Sequence, residues 1–177
     1  MGLTGITHLF NAMPPLMNRD PGPVGAALDD RTLWCGVIVD MHHVSATALR
    51  VALAARGVER MILVTDAMPS VGDAADHFNL LGENISRVDG ALVNDAGTLA
   101  GSDLDMASAV RNTVRHLGVS VEDALRMASL HPAQFLRLDG ELGRIAEGYR
   151  ADLVLLDGDY AVKSTWISGA RQDERSA

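Results

Sequence analysis

The chain has 177 residues, 47% hydrophobic and 21% charged, which suits a globular protein with a sizeable core and excludes a disordered one. Its formal net charge of -8, with no cluster of Arg or Lys, argues against nucleic acid as a partner. Cys35 is alone, which excludes an intramolecular disulfide; no apolar run approaches a membrane span and no basic start leads into a long apolar stretch, so a cytoplasmic protein is expected.

In chain order, GITHLF (5–10) reads as the tail of a buried strand. MPPLMNRDPGPVG (13–25) holds too many prolines and glycines for regular structure and is expected to be a loop. WCGVIVD (34–40) is a second buried strand. Ser45 caps a helix that runs to Arg56 and stops at Gly57. MILVTD (61–66) is a third buried strand. Continuous apolar strands alternating with helical connections predict an α/β fold with a parallel sheet. The polar segment 67–101 carries the turn pairs Asp89-Gly90 and Asp95-Ala96-Gly97 and predicts a hairpin-like excursion. Asp103 then opens a helix with the apolar stripe Leu104, Ala107, Val110, Val114 and Leu117, ended by Gly118. Ser120 caps another helix, and Pro132 opens a third. From about residue 139 the character changes. Glycines punctuate short strands, and 151–157 and 161–169 read as a β-pair. The predicted units are therefore 1–138 and 139–177.

The polar residues of interest sit where apolar strands end. His8 lies in the first, Asp40 ends the second and Asp66 ends the third. Ligands of parallel α/β folds bind beyond the carboxyl ends of strands. Taken singly, a strand-end Asp is more often a cap, and a buried His more often a packed, hydrogen-bonded residue. On extended chain His42 and His43 face opposite ways, so one of them at most points into a given pocket. His131 precedes a proline and reads as structural, whereas His77 and His116 read as solvated. GTLAGSD (97–103) could offer backbone amides to a phosphate, although a turn plus helix cap is the plainer account. Arg19, in the proline-rich loop, could pair with a phosphate.

Taken together, THLFNAM, the Arg19-Asp20-Pro21-Gly22 loop, VGAALDD, DMHHV, LVTDAM, GTLAGS, AVRNTV, LRMASLHPA and LGRIAEGYRADLVLLD resemble the carboxy-terminal half of the N-acetylglucosamine-6-phosphate deacetylases, a family of the amidohydrolase superfamily. The resemblance implies the last part of a metal-dependent (β/α)8 TIM barrel, followed by strands of a small β-sandwich. It implies hydrolysis of the acetamide of N-acetylglucosamine 6-phosphate to acetate and glucosamine 6-phosphate. By position, His8 matches a metal ligand and Asp66 the catalytic aspartate. Asn11, Ala12, Arg19, His43, Leu99, Ala100 and Gly101 match substrate contacts. The implied cofactor is a divalent metal, zinc first, with iron or another divalent ion as alternatives. The implied partners are an amino sugar phosphate and, in the full-length form, a second copy whose site Arg19 serves.

Met41 and His42 stand where the family usually has glycine and then a bulky apolar residue. An amidohydrolase for a different N-acyl or cyclic amide therefore stays open, as does a non-catalytic half-barrel that associates with another chain. About three strands cannot close an eight-stranded barrel, and the family's other metal ligands belong to earlier strands. The chain is thus expected to be a fragment, inactive or nearly so alone.

Overall fold

The computed structural model describes residues 2–172. Three short strands, β1 (Gly5–Ile6), β2 (Trp34–Val37) and β3 (Met61–Leu63), lie side by side in that order and are all parallel. The register pairs Ile6 with Cys35 and Val37 with Leu63, so the three carboxyl ends open on one edge. The strands are shorter than the apolar runs 5–10, 34–40 and 61–66 suggest. The chain leaves extended geometry near each functional residue, with φ of 33° at His8 and 52° at Asp66. His8 therefore lies beyond β1, not within it.

The connections are helical. α1 (Gly22–Asp29) joins β1 to β2, and α2 (Ala46–Arg56) joins β2 to β3. The loop expected over 13–25 thus ends early, because a helix begins at Gly22. Proline is tolerated in the first turn, where its missing N–H would have no partner anyway. The carboxyl end of α1 has no basic residue of its own. Arg56, 6% exposed, supplies one from α2, and its guanidinium donates to the carbonyls of Ala27, Asp30 and Leu33. That gives the Ala27 and Leu33 carbonyls a buried donor and adds a second to Asp30, which already accepts from Leu33 N. Ser45 caps α2 through a bond from Ala48 N (3.2 Å), as the sequence suggests, and Gly57 follows its last turn with φ 74°.

The excursion is a three-stranded antiparallel meander of β4 (His77–Leu80), β5 (Glu83–Val88) and β6 (Ala91–Asn94). Asp89 and Gly90 have φ of 50° and 82°, the two positive values that a tight hairpin turn needs. Ile85 and Leu92, each 1% exposed, form its buried side.

α3 (Met106–Leu117) starts later than Asp103 suggests. Asp105 is the cap and accepts from Ser108 N at 2.8 Å. Asp103 instead lies 2.8 Å from Arg87 Nε, an ion pair off the N–H axis. Ser120 caps α4 (Val121–Ala128), accepting from Asp123 N at 3.1 Å. α5 spans Leu130–Phe135, so Pro132 is its third residue and not its first. His131 is structural: it is buried, and its Nδ1 lies 2.8 Å from the carbonyl of Met61.

The core gathers Leu9, Ile38, Leu49, Met61 and Met127, each less than 2% exposed, between the parallel sheet and α1–α4. Each such side chain contributes about 1.5–3 kcal/mol by leaving water. The chain closes with β7 (Leu153–Leu156), β8 (Val162–Ile167) and β9 (Ala170–Gln172), all antiparallel. The β-pair is as anticipated, and β9 is an addition. Val154, Leu155, Val162 and Ile167 of this sheet are more than half exposed. Among the described residues the parallel sheet has three strands and does not close, and no helix is long and apolar enough to cross a membrane.

Candidate active site

The parallel order brings the turns after β1, β2 and β3 to one rim. His8 occupies the first turn. Its carbonyl accepts from Asn11 N (2.9 Å) and from Asn11 Nδ2 (3.2 Å), so the Asn11 amide shapes the turn. Leu9, fully buried, donates its N–H to the Gly36 carbonyl at 2.8 Å and anchors the turn to β2. Gly36 leaves the room this approach requires, since a Cβ there would lie 3.2 Å from Val64 Cγ1 and 3.4 Å from His8 N. His8 Nδ1 is buried and has no hydrogen-bond partner. Ala12 ends the turn with φ 52° and is exposed.

The second turn holds Asp40, Met41, His42 and His43. Asp40 Oδ1 accepts the N–H groups of His42 and His43, both at 2.9 Å, and Oδ2 lies 2.6 Å from His43 Nδ1. The His43 and Asp40 side chains are 7% and 9% exposed. Burial opposes ionisation of Asp40, but its three bonds outweigh that and hold the carboxyl below the usual range. The hydrogen bond to Asp40 raises the His43 pKa above its ordinary value against the opposing effect of burial, helped by the charges of Asp40 and then Asp66. His42 is exposed. The histidines do diverge, but through a turn with φ 69° at Met41, not along extended chain.

Asp66 occupies the third turn and is exposed. Its left-handed backbone is clasped by Ser102, which is 1% exposed. Ser102 N donates to the Asp66 carbonyl at 2.9 Å, and Met68 N donates to the Ser102 carbonyl at 2.9 Å. Ser102 Oγ donates to the Thr65 carbonyl and accepts from Leu104 N at 3.1 Å. Gly101 has φ 72°, and a Cβ there would strike Met68, at 2.3 Å from its Cε. Leu99, Ala100 and Gly101 are thereby tied to the Asp66 turn, with Ala100 N also bonded to the Leu92 carbonyl at 3.0 Å. Arg19 lies exposed on the loop before α1 and makes no hydrogen bond or ion pair among the described residues.

His8, Phe10, Ala12, Met41 and Asp66 all have positive φ without being glycine. Such conformations cost about 1–3 kcal/mol each and gather where function requires a fixed geometry. Chemically the rim offers a free imidazole nitrogen, a carboxylate-held histidine and an exposed carboxylate suited to moving a proton. Asp40 and Ser102 are the positions that sequence reasoning left without a role. For Asp40 the clue was its spacing of three before His43, and for Ser102 its place directly after Leu99, Ala100 and Gly101, the three positions that the resemblance matches to substrate contacts. As for a metal, the orphaned His8 Nδ1 is a suitable donor. However, among the described residues no group of three or more His, Cys, Asp or Glu is placed to hold an ion. A catalytic zinc takes about three protein ligands, so the donors of this chain do not by themselves fit one.

A family model described as the amidohydrolase family matches residues 7–172. An N-acetylgalactosamine-6-phosphate deacetylase of Escherichia coli O157:H7 is 41% identical over 168 residues, covering 95% of this chain and 44% of that protein. The N-acetylglucosamine-6-phosphate deacetylase of Homo sapiens is 43% identical over 175 residues, covering 95% and 42%. Among solved structures, N-acetylglucosamine-6-phosphate deacetylase from Pasteurella multocida superposes with a TM-score of 0.91 at 33% identity, covering 97% of this chain and 45% of that one. The chain spans less than half the length of each of these three.

Proposed function

The chain belongs to the amidohydrolase family, and from that premise we propose that it is the catalytic-aspartate portion of a deacetylase acting on N-acetylated hexosamine 6-phosphates. The observation that carries this is the shared rim, where three neighbouring strand ends present His8, the Asp40–His43 pair and Asp66. In the proposed reaction Asp66 takes a proton from water as its oxygen bonds to the acetamide carbonyl carbon. It then gives that proton to the nitrogen as the C–N bond breaks, leaving acetate and the free amino sugar phosphate. An exposed carboxylate on a fixed turn can do both, because the proton gained in the first step is the one spent in the second.

Asn11, Ala12, His43 and Leu99-Ala100-Gly101 border the same rim and are assigned to the sugar. Arg19, exposed and outside this constellation, is assigned to a phosphate in the site of a second copy, which makes the complete enzyme a homodimer. The divalent metal belongs to the proposal, with His8 as this chain's one ligand and the others supplied from outside it, and no step is derived through it. The chain is read as the final part of a (β/α)8 barrel, and β7–β9 as part of a β-sandwich whose exposed Val154, Leu155, Val162 and Ile167 await a second sheet. A cytoplasmic enzyme of amino sugar breakdown fits this chemistry.

N-acetylglucosamine 6-phosphate is the first substrate. Its galactosamine epimer is a specific second, favoured by the 41% identity to a galactosamine-type deacetylase. The test grafts residues 7–172 in place of the matching segment of a full-length relative and measures acetate release from both phosphorylated sugars and their unphosphorylated forms. Release is expected from the phosphorylated sugars, with a loss of about 10²–10⁴-fold on Asp66→Asn. A folded graft that hydrolyses neither, or that ignores the phosphate, refutes the assignment.

A further inference from the structure

Asp40 has no part in the reaction as described, yet its carboxylate meets His42 once and His43 twice. It stands three residues beyond β2. Oδ1 receives the backbone N–H groups of His42 and His43, and Oδ2 faces His43 Nδ1 at 2.6 Å. An ordinary turn-forming aspartate accounts for the Oδ1 bonds. It does not account for Oδ2, which addresses the imidazole alone. The backbone leading into Asp40 is fixed from the opposite side. Asn112 Nδ2 on α3 donates to the Val39 carbonyl at 2.8 Å, and Ile38 and Val39 are fully buried. Asp40 therefore has one position, and the His43 ring is held against it.

A carboxylate only accepts, so the ring nitrogen facing it carries a proton. In the neutral ring the other nitrogen, Nε2, is then an acceptor, and it becomes a donor only when the ring is charged. We propose that Asp40 is a positioning residue: it fixes the orientation of the His43 ring and keeps a proton on Nδ1, so that Nε2 is the nitrogen offered to the substrate. The functional half of this rests on the reading of His43 as a substrate contact, whereas the structural half stands on the Asp40–His43 geometry alone.

Asp40→Asn separates these roles. The amide oxygen can still accept both backbone N–H groups, so the turn survives. The group facing Nδ1 becomes an NH₂ donor and needs a lone pair opposite it. The imidazole proton then moves to Nε2, and the nitrogen offered to the substrate changes from acceptor to donor in the neutral ring. A merely structural aspartate would not produce that switch.

The experiment is ¹⁵N–¹H correlation of the histidine side chains in the intact chain, with His43 assigned by its loss in His43→Gln. At a pH above the raised pKa of His43, the expected result is a neutral ring with Nδ1 protonated in the native chain and Nε2 protonated in Asp40→Asn, the backbone amide spectrum being otherwise retained. A native His43 protonated on Nε2, or an unchanged tautomer in Asp40→Asn, overturns the proposal. If Asp40→Asn loses its fold, the native spectrum alone decides the tautomer. Adding N-acetylglucosamine 6-phosphate to the full-length graft described above tests the other half: His43 Nε2 should shift with Asp40 native and by less in Asp40→Asn. A native tautomer as stated, with no Nε2 shift in a graft that hydrolyses this substrate, removes His43 from the substrate site and leaves its tether to Asp40 intact, so the two failures are distinguishable.

Discussion

Ser102→Ala removes one oxygen from the clasp on Asp66, and its cost can be worked from the bonds lost. Ser102 Oγ donates to the Thr65 carbonyl and accepts from Leu104 N at 3.1 Å. Thr65 is half-buried, so water can replace its bond. Leu104 is 5% exposed, and its N–H would be left unpaired. An unsatisfied buried donor costs about 1–3 kcal/mol. In a chain of this length that lowers the Tm by roughly 2–10 °C. The Ser102 N to Asp66 carbonyl bond survives the substitution, but the segment carrying it loosens. Urea unfolding followed by circular dichroism measures the global cost, and hydrogen exchange at the amides of Ser102 and Met68 measures the local one. Faster exchange at these two positions than in α2 is the expected pattern. A variant within about 0.5 kcal/mol of the native chain, the range of ordinary surface substitutions, and with unchanged exchange at Met68 would refute the clasp.

Gly101→Ala is expected to be worse than Ser102→Ala, because it adds a Cβ at φ 72° directly against Met68; partial recovery in Gly101→Ala/Met68→Ala would identify that contact as the cause. Arg56→Met strips the Ala27 and Leu33 carbonyls of their buried donor and should cost about 1–3 kcal/mol for each in urea unfolding, with Arg56→Lys intermediate because an ammonium lacks the planar fork that reaches both. The Asp40–His43 pair predicts a pH window. His43 is raised from 6.5, so its contribution is complete below that value and is lost as pH rises through its folded pKa. Asp40 is lowered from 3.8, so its contribution is complete above that value and is lost as pH falls through its folded pKa. Stability measured against pH should be flatter at both ends in Asp40→Asn. Zinc titrated calorimetrically into the isolated chain should find no tight site that depends on His8, since that one imidazole is the only donor assigned from this chain; tight binding abolished by His8→Ala would contradict it.

Much of the fold was written in local pattern. Ser45 and Ser120 cap the helices the sequence assigns them, because a side-chain oxygen bonding the N–H three residues on needs only its own helix. Asp89-Gly90 makes its hairpin for the same reason, since two residues willing to take positive φ define the turn. The apolar runs marked three buried parallel strands, and the residues at their ends marked the rim. What local pattern missed depended on partners far along the chain. α1 hid behind prolines, and its carboxyl end is completed by Arg56, 29 residues beyond Ala27. Asp103 looked like a cap and proved to be an ion-pair partner of Arg87, leaving the capping to Asp105. The same division runs through the site. His8, Asp40 and Asp66 were legible as residue types at strand ends, and His43 through the family resemblance, but the clasp of Ser102 on Asp66 and the prop of Asn112 behind Asp40 were not. Those contacts join positions 36 and 73 residues apart, and only the packing of α3 against the parallel sheet and the bridge between Ala67 and Ser102 bring them together. Sequence determined which chemical groups this chain carries and where each strand releases them; the tertiary structure decided which way they face, because that is set by bonds no short stretch contains.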